Sequence, residues 1–479
     1  MSSTQRLPMR TKLAFGVGSA AEAAATIAFS TFNFLFYNKV MGVSGTLCGL
    51  AVIIALALDA LADPIVGSLS DRHKSPRWGR RHPFMLLAPL PMGLFFFLIY
   101  SPPAGLSELA LFAWFTITTL LFRQAQTLYH VPHLALGAEL TDDYRERSVI
   151  MSYTALFGVL GGSSAFFFGW TWFSSIKGGS AVRDGYPGMG LGIGVFIAVA
   201  IFVSAWFTRD RIPYLKQPPV DHPPFTLREL FSAIVACLQN HNYRALLLGL
   251  ICVSAMIGTR ETLSSHVNLF FWELPENKIR VFGLASPPAF VISFLIVARL
   301  HVRYEKRSSI LGAVVLLIFA STTPVLLRLL HVMPENGSPK LIPVLFFFVF
   351  LYYGGLSMLI ITVLSALADI TDEHELITGK RQEGVFFAAR TFFSQVTTGF
   401  GHVVAGVAID LIGFPAGAKV GDVAANVVFR LGLLDGPITA IPALAAVYFY
   451  GRYAIDRERL LHIQSELRAR NERAAPQAA

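Results

Sequence analysis

Asp59 and Asp63 lie four residues apart in an otherwise apolar run, so a helix places both on one face. Two neighbouring carboxylates in a low dielectric cannot both stay ionised cheaply; they share a proton or hold a cation. Further polar residues sit in other apolar runs. Glu22 is near the middle of the first run, and Arg123, Thr127 and His130 follow i, i+4, i+7, again one helix face. Three acids against one permanent base leave a negative excess, which is the chemistry of a coupling-ion site. The alternative is a structural salt bridge, for instance Asp59 to Arg123. His130 reads as a substrate or proton contact, or as a packing histidine. Later in the chain, Arg260 and Glu261 are adjacent and point in different directions. Arg260 either faces a cavity or bridges two helices. Gln395 and His402 are seven apart and can share a face.

The elements that must carry these residues are long apolar helices. The chain has 479 residues, 54% apolar and only 14% charged, with mean hydropathy +0.56. Soluble domains carry about 25% charged residues. Runs of about 20 apolar residues cross a hydrocarbon core as helices, whose backbone polar groups are satisfied internally. The sequence predicts twelve spans, at 12–38, 47–69, 83–101, 108–136, 149–173, 188–208, 243–272, 281–300, 309–331, 341–365, 387–413 and 424–450. The first is too long for a signal-peptide core and reads as a retained helix. Cys48, Cys237 and Cys252 form neither a metal spacing nor a disulfide framework. The net charge of +9 sits beside the spans, as in membrane proteins with basic cytoplasmic loops, and does not point to nucleic acid.

Twelve spans put both termini on one side. The 70–82 loop carries Arg72, Lys74, Arg77, Arg80 and Arg81, and the 301–308 loop carries Arg303, Lys306 and Arg307. The 39–46 and 102–107 connections carry almost none, so both termini are expected in the cytoplasm. Prolines 213, 218, 219, 223 and 224 make 209–242 an extended linker. The expected organisation is a six-helix half over 1–208, the linker, a second half over 243–450 and a tail over 451–479. The halves repeat: Ala138-Glu139-Leu140-Thr141-Asp142-Asp143 returns 230 residues later as Ala368-Asp369-Ile370-Thr371-Asp372-Glu373, and the same offset relates the two basic loops. Two six-helix halves around a central cleft form an all-α major facilitator fold, with substrate bound near the midplane.

Asp59-Ala60-Leu61-Ala62-Asp63-Pro64-Ile65-Val66-Gly67, running into Ser70-Asp71-Arg72 and Gly79-Arg80-Arg81, resembles the melibiose-carrier-like glycoside-pentoside-hexuronide:cation symporters of the major facilitator superfamily. Pro132 to Arg147 and Ala368 to Glu383 fit the same pattern. The resemblance implies that Asp59 and Asp63 bind the coupling cation with Thr127 as a further oxygen ligand. It places Glu22 at an acid that contacts sugar hydroxyls. Ala62 stands where the family often has Asn, and His130 replaces a second sugar-binding acid. Leu134 replaces a stacking tryptophan, Thr154 or Ala155 an arginine, and Gln395 a lysine. The cation half of the pattern is mostly kept and the galactoside half mostly lost.

The sequence therefore predicts a cation-coupled symporter of a sugar or glycoside in the bacterial inner membrane, acting as a monomer by alternating access. An amphipathic or lysolipid-like substrate is the alternative. Arg123, His130, Glu22, Arg260 and Gln395 are the candidate substrate contacts. Arg72, Arg80, Arg81 and Arg147 would pair with Glu139, Asp142, Asp369 and Asp372 to latch the cytoplasmic side, with Asp71 in the same gate, unless the basic residues only set topology. No cofactor is implied beyond a coupling H+ or Na+, with Na+ at Asp59 and Asp63 the one metal. No HExxH or Walker A motif is present, which excludes the corresponding enzyme and ATP-driven pump classes.

Overall fold

The computed structural model describes residues 7–73, 75, 77–141, 143–215, 235, 238–379, 383–415, 417–419 and 421–474, and among these there is no strand. Among the described residues up to Tyr450, twelve long helices follow one another: α1 (Met9–Val40), α2 (Gly45–Arg72), α3 (His82–Ile99), α4 (Glu108–Glu139), α5 (Glu146–Ser174), α6 (Gly185–Tyr214), α7 (His241–Phe271), α8 (Glu276–Arg303), α9 (Lys306–Leu329), α10 (Leu341–Thr378), α11 (Glu383–Leu411) and α12 (Ala425–Tyr450). Side-chain caps mark where several begin. Ser44 accepts from the Leu47 N–H, Ser107 from Ala110 and Asn240 from Tyr243, each satisfying a first-turn donor.

All but α4 include stretches long and apolar enough to cross a membrane. The 32 residues of α4 reach about 48 Å, ample for a span. Its hydropathy falls short because Arg123, Gln124, Gln126, His130 and His133 crowd its middle. The polar site itself is what hides this helix from a hydropathy criterion.

Within the first six helices α1 packs on α5 and α6, and α2 on α4. Within the second six α7 packs on α11 and α12, and α9 on α10 and α12. The halves meet along α2–α11 and α5–α8. Advancing each helix by six turns one pair into the other, which is the two-fold repeat of a major facilitator fold. Small residues make the α2–α11 approach possible. A Cβ on Gly45 would meet the Gly406 carbonyl, and one on Gly49 would meet the Val403 backbone. At this seam Asp410 on α11 accepts hydrogen bonds from Gly45 N (2.8 Å), Thr46 N (2.8 Å) and Thr46 Oγ1 (2.6 Å). An acid at a helix N-terminus also complements the helix dipole. Nearby, Ser265 Oγ donates to the Thr31 carbonyl at 2.8 Å, and the Ser180 N–H and hydroxyl donate to Glu276. The halves are thus tied together at the end where α1 finishes and α2 begins.

Two elements differ from expectation. The α10 helix runs thirteen residues past the expected 365, because Ala366, Leu367 and Ile370 stay in the core as the helix leaves the membrane. The tail holds a further helix, α13 (Arg457–Ala474). Asp456 caps it, Ile463 and Leu467 bury against the second half, and Arg459 pairs with Glu373 at 2.6 Å. Of the expected linker, 209–214 continues α6 as a tight turn, and 216–234, 236 and 237 lie outside the described residues.

Candidate functional site

The α2 and α4 helices bring Asp59, Asp63 and Thr127 together. Thr127 Oγ1 lies 2.5 Å from Asp59 Oδ1 and 3.0 Å from Asp63 Oδ1. Arg123, one turn earlier on α4, donates to Asp59 Oδ2 at 2.7 Å, and both side chains are largely buried. Pro64 follows Asp63 inside α2, removing the N–H that would have bonded the Ala60 carbonyl. A backbone oxygen is thereby freed in the turn between the two acids. From the opposite half, Gln395 Nε2 on α11 reaches Asp63 Oδ2 at 3.5 Å, while its Oε1 is buried without a partner. Gln395, expected among substrate contacts, stands at the acid pair, and so does Arg123.

The cluster has a simple charge count. Arg123 balances Asp59, leaving Asp63 as one net negative charge. Thr127 has a single hydroxyl proton and two carboxylates within reach, so it can donate to only one of them. Both contacts are hydrogen bonds only if a further proton sits on one acid, and a monovalent cation is the other way to balance the group.

Glu22 and His130 line a second place, a cavity of about 300 Å³ with Ser19, Thr26, Gln126 and Thr154. His130 Nδ1 is 3.1 Å from Glu22 Oε1, and His133 Nδ1 is 3.8 Å from Oε2. Sequence reasoning did not single out His133, which sits three residues after His130 on the same face and also bonds the Phe15 carbonyl at 3.1 Å. Gln126 joins this cavity to the acid pair, accepting from Arg123 at 3.2 Å and donating to Thr26 at 3.4 Å.

Arg260 lies elsewhere, in the second half. Its Nη1 is 3.4 Å from Asp435 Oδ2, and its guanidinium rests 5.0 Å from the Tyr352 ring centre. Glu261 lines the same cavity, although adjacent helical residues were expected to diverge. The cavity is wide enough to receive two neighbouring positions about 100° apart. Asp435 was overlooked, although an acid inside an apolar span is itself a signal.

At the end of the bundle carrying the 72–81 segment, charges pair within each half. Arg80 and Arg81 both bond Glu139, and Arg81 also reaches Asp71 at 3.1 Å. Asp369 is held by Lys306 at 2.6 Å and Tyr453 at 3.3 Å. Arg147 donates to the Thr141 carbonyl at 3.3 Å. Arg72 ends α2, Asp372 lies within the extended part of α10, and Asp142 lies outside the described residues. Glu139 thus meets two bases of the expected set, Arg80 and Arg81, while Asp369, 230 residues later, meets Lys306 of its own half instead of those bases. In each half, an acid in the C-terminal part of the fourth helix meets a base at the start of the third.

A family profile described as MFS/sugar transport protein matches residues 14–457. The Escherichia coli (strain K12) inner membrane symporter YicJ is 24% identical over 474 residues, covering 96% of this chain and 95% of that one. The putative glycoside/cation symporter YagG of the same organism is 24% identical, covering 87% and 85%. In fold, the chain is similar to the crystal structure of a bacterial homologue of the human lysosomal transporter Spinster, in an inward-facing and unoccupied conformation. Identity there is 13%, coverage 97% and 99%, and the TM-score 0.63. Twelve helices in two halves, intramembrane acids and a profile match over almost the whole chain place the protein in the MFS/sugar transport family of membrane transporters.

Proposed function

We propose that this transporter is a proton-coupled symporter of a glycoside in a bacterial inner membrane, with Asp59, Asp63 and Thr127 as the coupling site. The observation that supports this most is the Thr127 hydroxyl lying between the two carboxylates. A proton on Asp63 donating to Thr127, Thr127 donating to Asp59, and Arg123 donating to Asp59 make a closed chain. One proton completes it. A hard cation such as Na+ needs a shell of oxygens, and with Ala62 in place of Asn the side chains supply few. Gln395 closes the site from the other half, so loading the site bears on how the halves sit together. Similarity to a glycoside/cation symporter supports the substrate class. Glu22 and His130, flanked by Gln126 and Thr26, offer the alternating acceptors and donors that sugar hydroxyls require.

Residues 1–208 and 243–450 are the two rocking halves, 209–242 the cytoplasmic linker and 451–479 the cytoplasmic tail. The Asp71, Arg72, Arg80, Arg81, Glu139, Asp142 and Arg147 set, with Asp369 and Asp372, braces the cytoplasmic ends of each half. Asp410 at the α2 N-terminus then belongs to a closed external gate. Reporter fusions test the sidedness: a reporter after Ala479 is expected to report cytoplasm and one in the 39–46 loop the outside. An external C-terminus would overturn the orientation.

The external gate has its own expected result. Asp410→Ala removes three hydrogen bonds across the seam, and the outward-facing population is expected to rise about ten-fold. The readout is labelling of Thr31→Cys, in a background without the three native cysteines, by an impermeant maleimide added outside. Thr31 is buried in this closed arrangement. An unchanged labelling rate would remove Asp410 from the gate.

A further inference from the structure

We infer that the cavity around Arg260 and Asp435 is a second saccharide subsite, so the transported molecule carries more than one sugar unit. This deepens the glycoside reading and rests on it. The cavity measures about 150 Å³ and opens among α5, α7, α8, α9, α10 and α12.

Its polar groups are incompletely used. Asp435 is only 3% exposed, and while Oδ2 faces Arg260, Oδ1 has no hydrogen-bond partner. A buried carboxylate oxygen without a donor is costly and rare, and a ligand hydroxyl would supply the missing bond. Two irregular turns frame the place. The π-helical turns Val267–Phe271 on α7 and Leu434–Ile438 on α12 both contribute lining residues, and such turns often mark functional sites. In the second, the Asp435 carbonyl accepts from Arg260 at 3.3 Å and from Thr439 at 2.6 Å, so the guanidinium is held in position.

The lining also selects the ligand's chemistry. Asp435 and Glu261 repel an anion, and the Arg260 charge is balanced by Asp435, so the remaining donors and acceptors suit a ligand rich in hydroxyls. Trp272, Tyr352, Tyr353 and Phe348 give aromatic walls for the C–H faces of a sugar ring. Finally, the cavity continues toward Glu22. A third cavity of about 260 Å³, mostly apolar, shares Phe166 and Tyr353 with this one and Ala23 and Gly158 with the Glu22–His130 cavity. The three cavities lie side by side from the first half to the second, separated only by these shared side chains, with hydrogen-bonding groups at both ends.

Calorimetric titration of the purified carrier with methyl monoglycosides, matched di- and trisaccharides and an octyl glycoside tests this. The best di- or trisaccharide is expected to bind at least about ten-fold more tightly than its monoglycoside, as a second well-filled subsite should give. Ser264→Leu fills the cavity without touching the ion pair, since the Ser264 hydroxyl bonds only the Glu261 carbonyl of its own helix. It should erase that advantage and leave monoglycoside binding unchanged, and Asp435→Asn should act in the same direction. Equal affinity for short and long saccharides, equal losses for both in Ser264→Leu, or tightest binding by the octyl glycoside would overturn the second subsite. No binding by any saccharide would instead overturn the glycoside reading, and this inference with it.

Discussion

Asp63→Asn is expected to abolish uphill accumulation while leaving downhill exchange of substrate in place. The amide keeps the shape of a neutral carboxyl and can neither take up nor release a proton. In the cluster of Asp59, Asp63, Thr127 and Arg123, Asp63 is the one charge left unbalanced, so its neutral form is the loaded form. A carrier fixed there can bind substrate and reorient, since exchange does not require the ion to leave. It cannot return empty with a change of charge, so an imposed gradient has nothing to act on. Accumulation should then stop at equilibrium with the medium. Asp59→Asn should lose uphill transport too, because Thr127 loses its strong acceptor and Arg123 its counter-charge. Uptake into proteoliposomes under an inward proton gradient without sodium, then under a sodium gradient at constant pH, measures both points. Uptake driven by sodium alone would overturn the proton assignment. Full uphill transport by both Asn variants would overturn the site.

What was legible in the sequence follows from what helical spacing fixes. Four residues along a helix place Asp59 beside Asp63, and the same rule aligns Arg123, Thr127 and His130, so the acid pair with its hydroxyl was readable before any coordinates. Which residues meet across helices is not fixed by spacing. Arg123 was weighed as a salt-bridge partner and as a substrate contact, and the structure shows the ion pair with Asp59. Glu139 and Asp369 belong to a set of acids and bases expected to latch the cytoplasmic side, and spacing does not say which acid takes which base. Each has bases at the start of the neighbouring helix in its own half, and those near partners win. Asp410 and Asp435 stand alone in apolar surroundings, and their meaning comes from an α2 N-terminus and an arginine far away in sequence. Phe166 and Phe348 sit in runs of three phenylalanines, a pattern that by itself suggests lipid-facing or packing residues, yet both line the second-half cavity. The α13 helix carries no long apolar run, only Leu460, Leu461, Ile463 and Leu467 among many charges, too little to register as a span.

Arg123→Gln separates the two meanings of the ion pair, because a structural bridge and a coupling site respond differently when the pair is removed as a unit. The pair is short and mostly shielded from solvent, at 2.7 Å with side chains 13% and 6% exposed. Removing one partner leaves the other charge buried and uncompensated, a loss of about 3–5 kcal/mol in such pairs. Arg123→Gln alone should therefore unfold at clearly lower denaturant in mixed micelles, and Asp59→Asn alone likewise. Neutralising both removes the desolvation cost together with the attraction, so Arg123→Gln with Asp59→Asn should recover most of the lost stability. Thr127 and Asp63 remain in that double variant, and the Glu22–His130 cavity is intact, so substrate exchange should persist. Uphill transport should not return, because the chain from Asp63 through Thr127 to an ionised Asp59 is gone. A double variant that is stable and still accumulates substrate would reduce Asp59 and Arg123 to a structural bridge and leave Asp63 as the sole carrier of the coupling proton. A double variant no more stable than the single ones would show that the pair does not act as a unit.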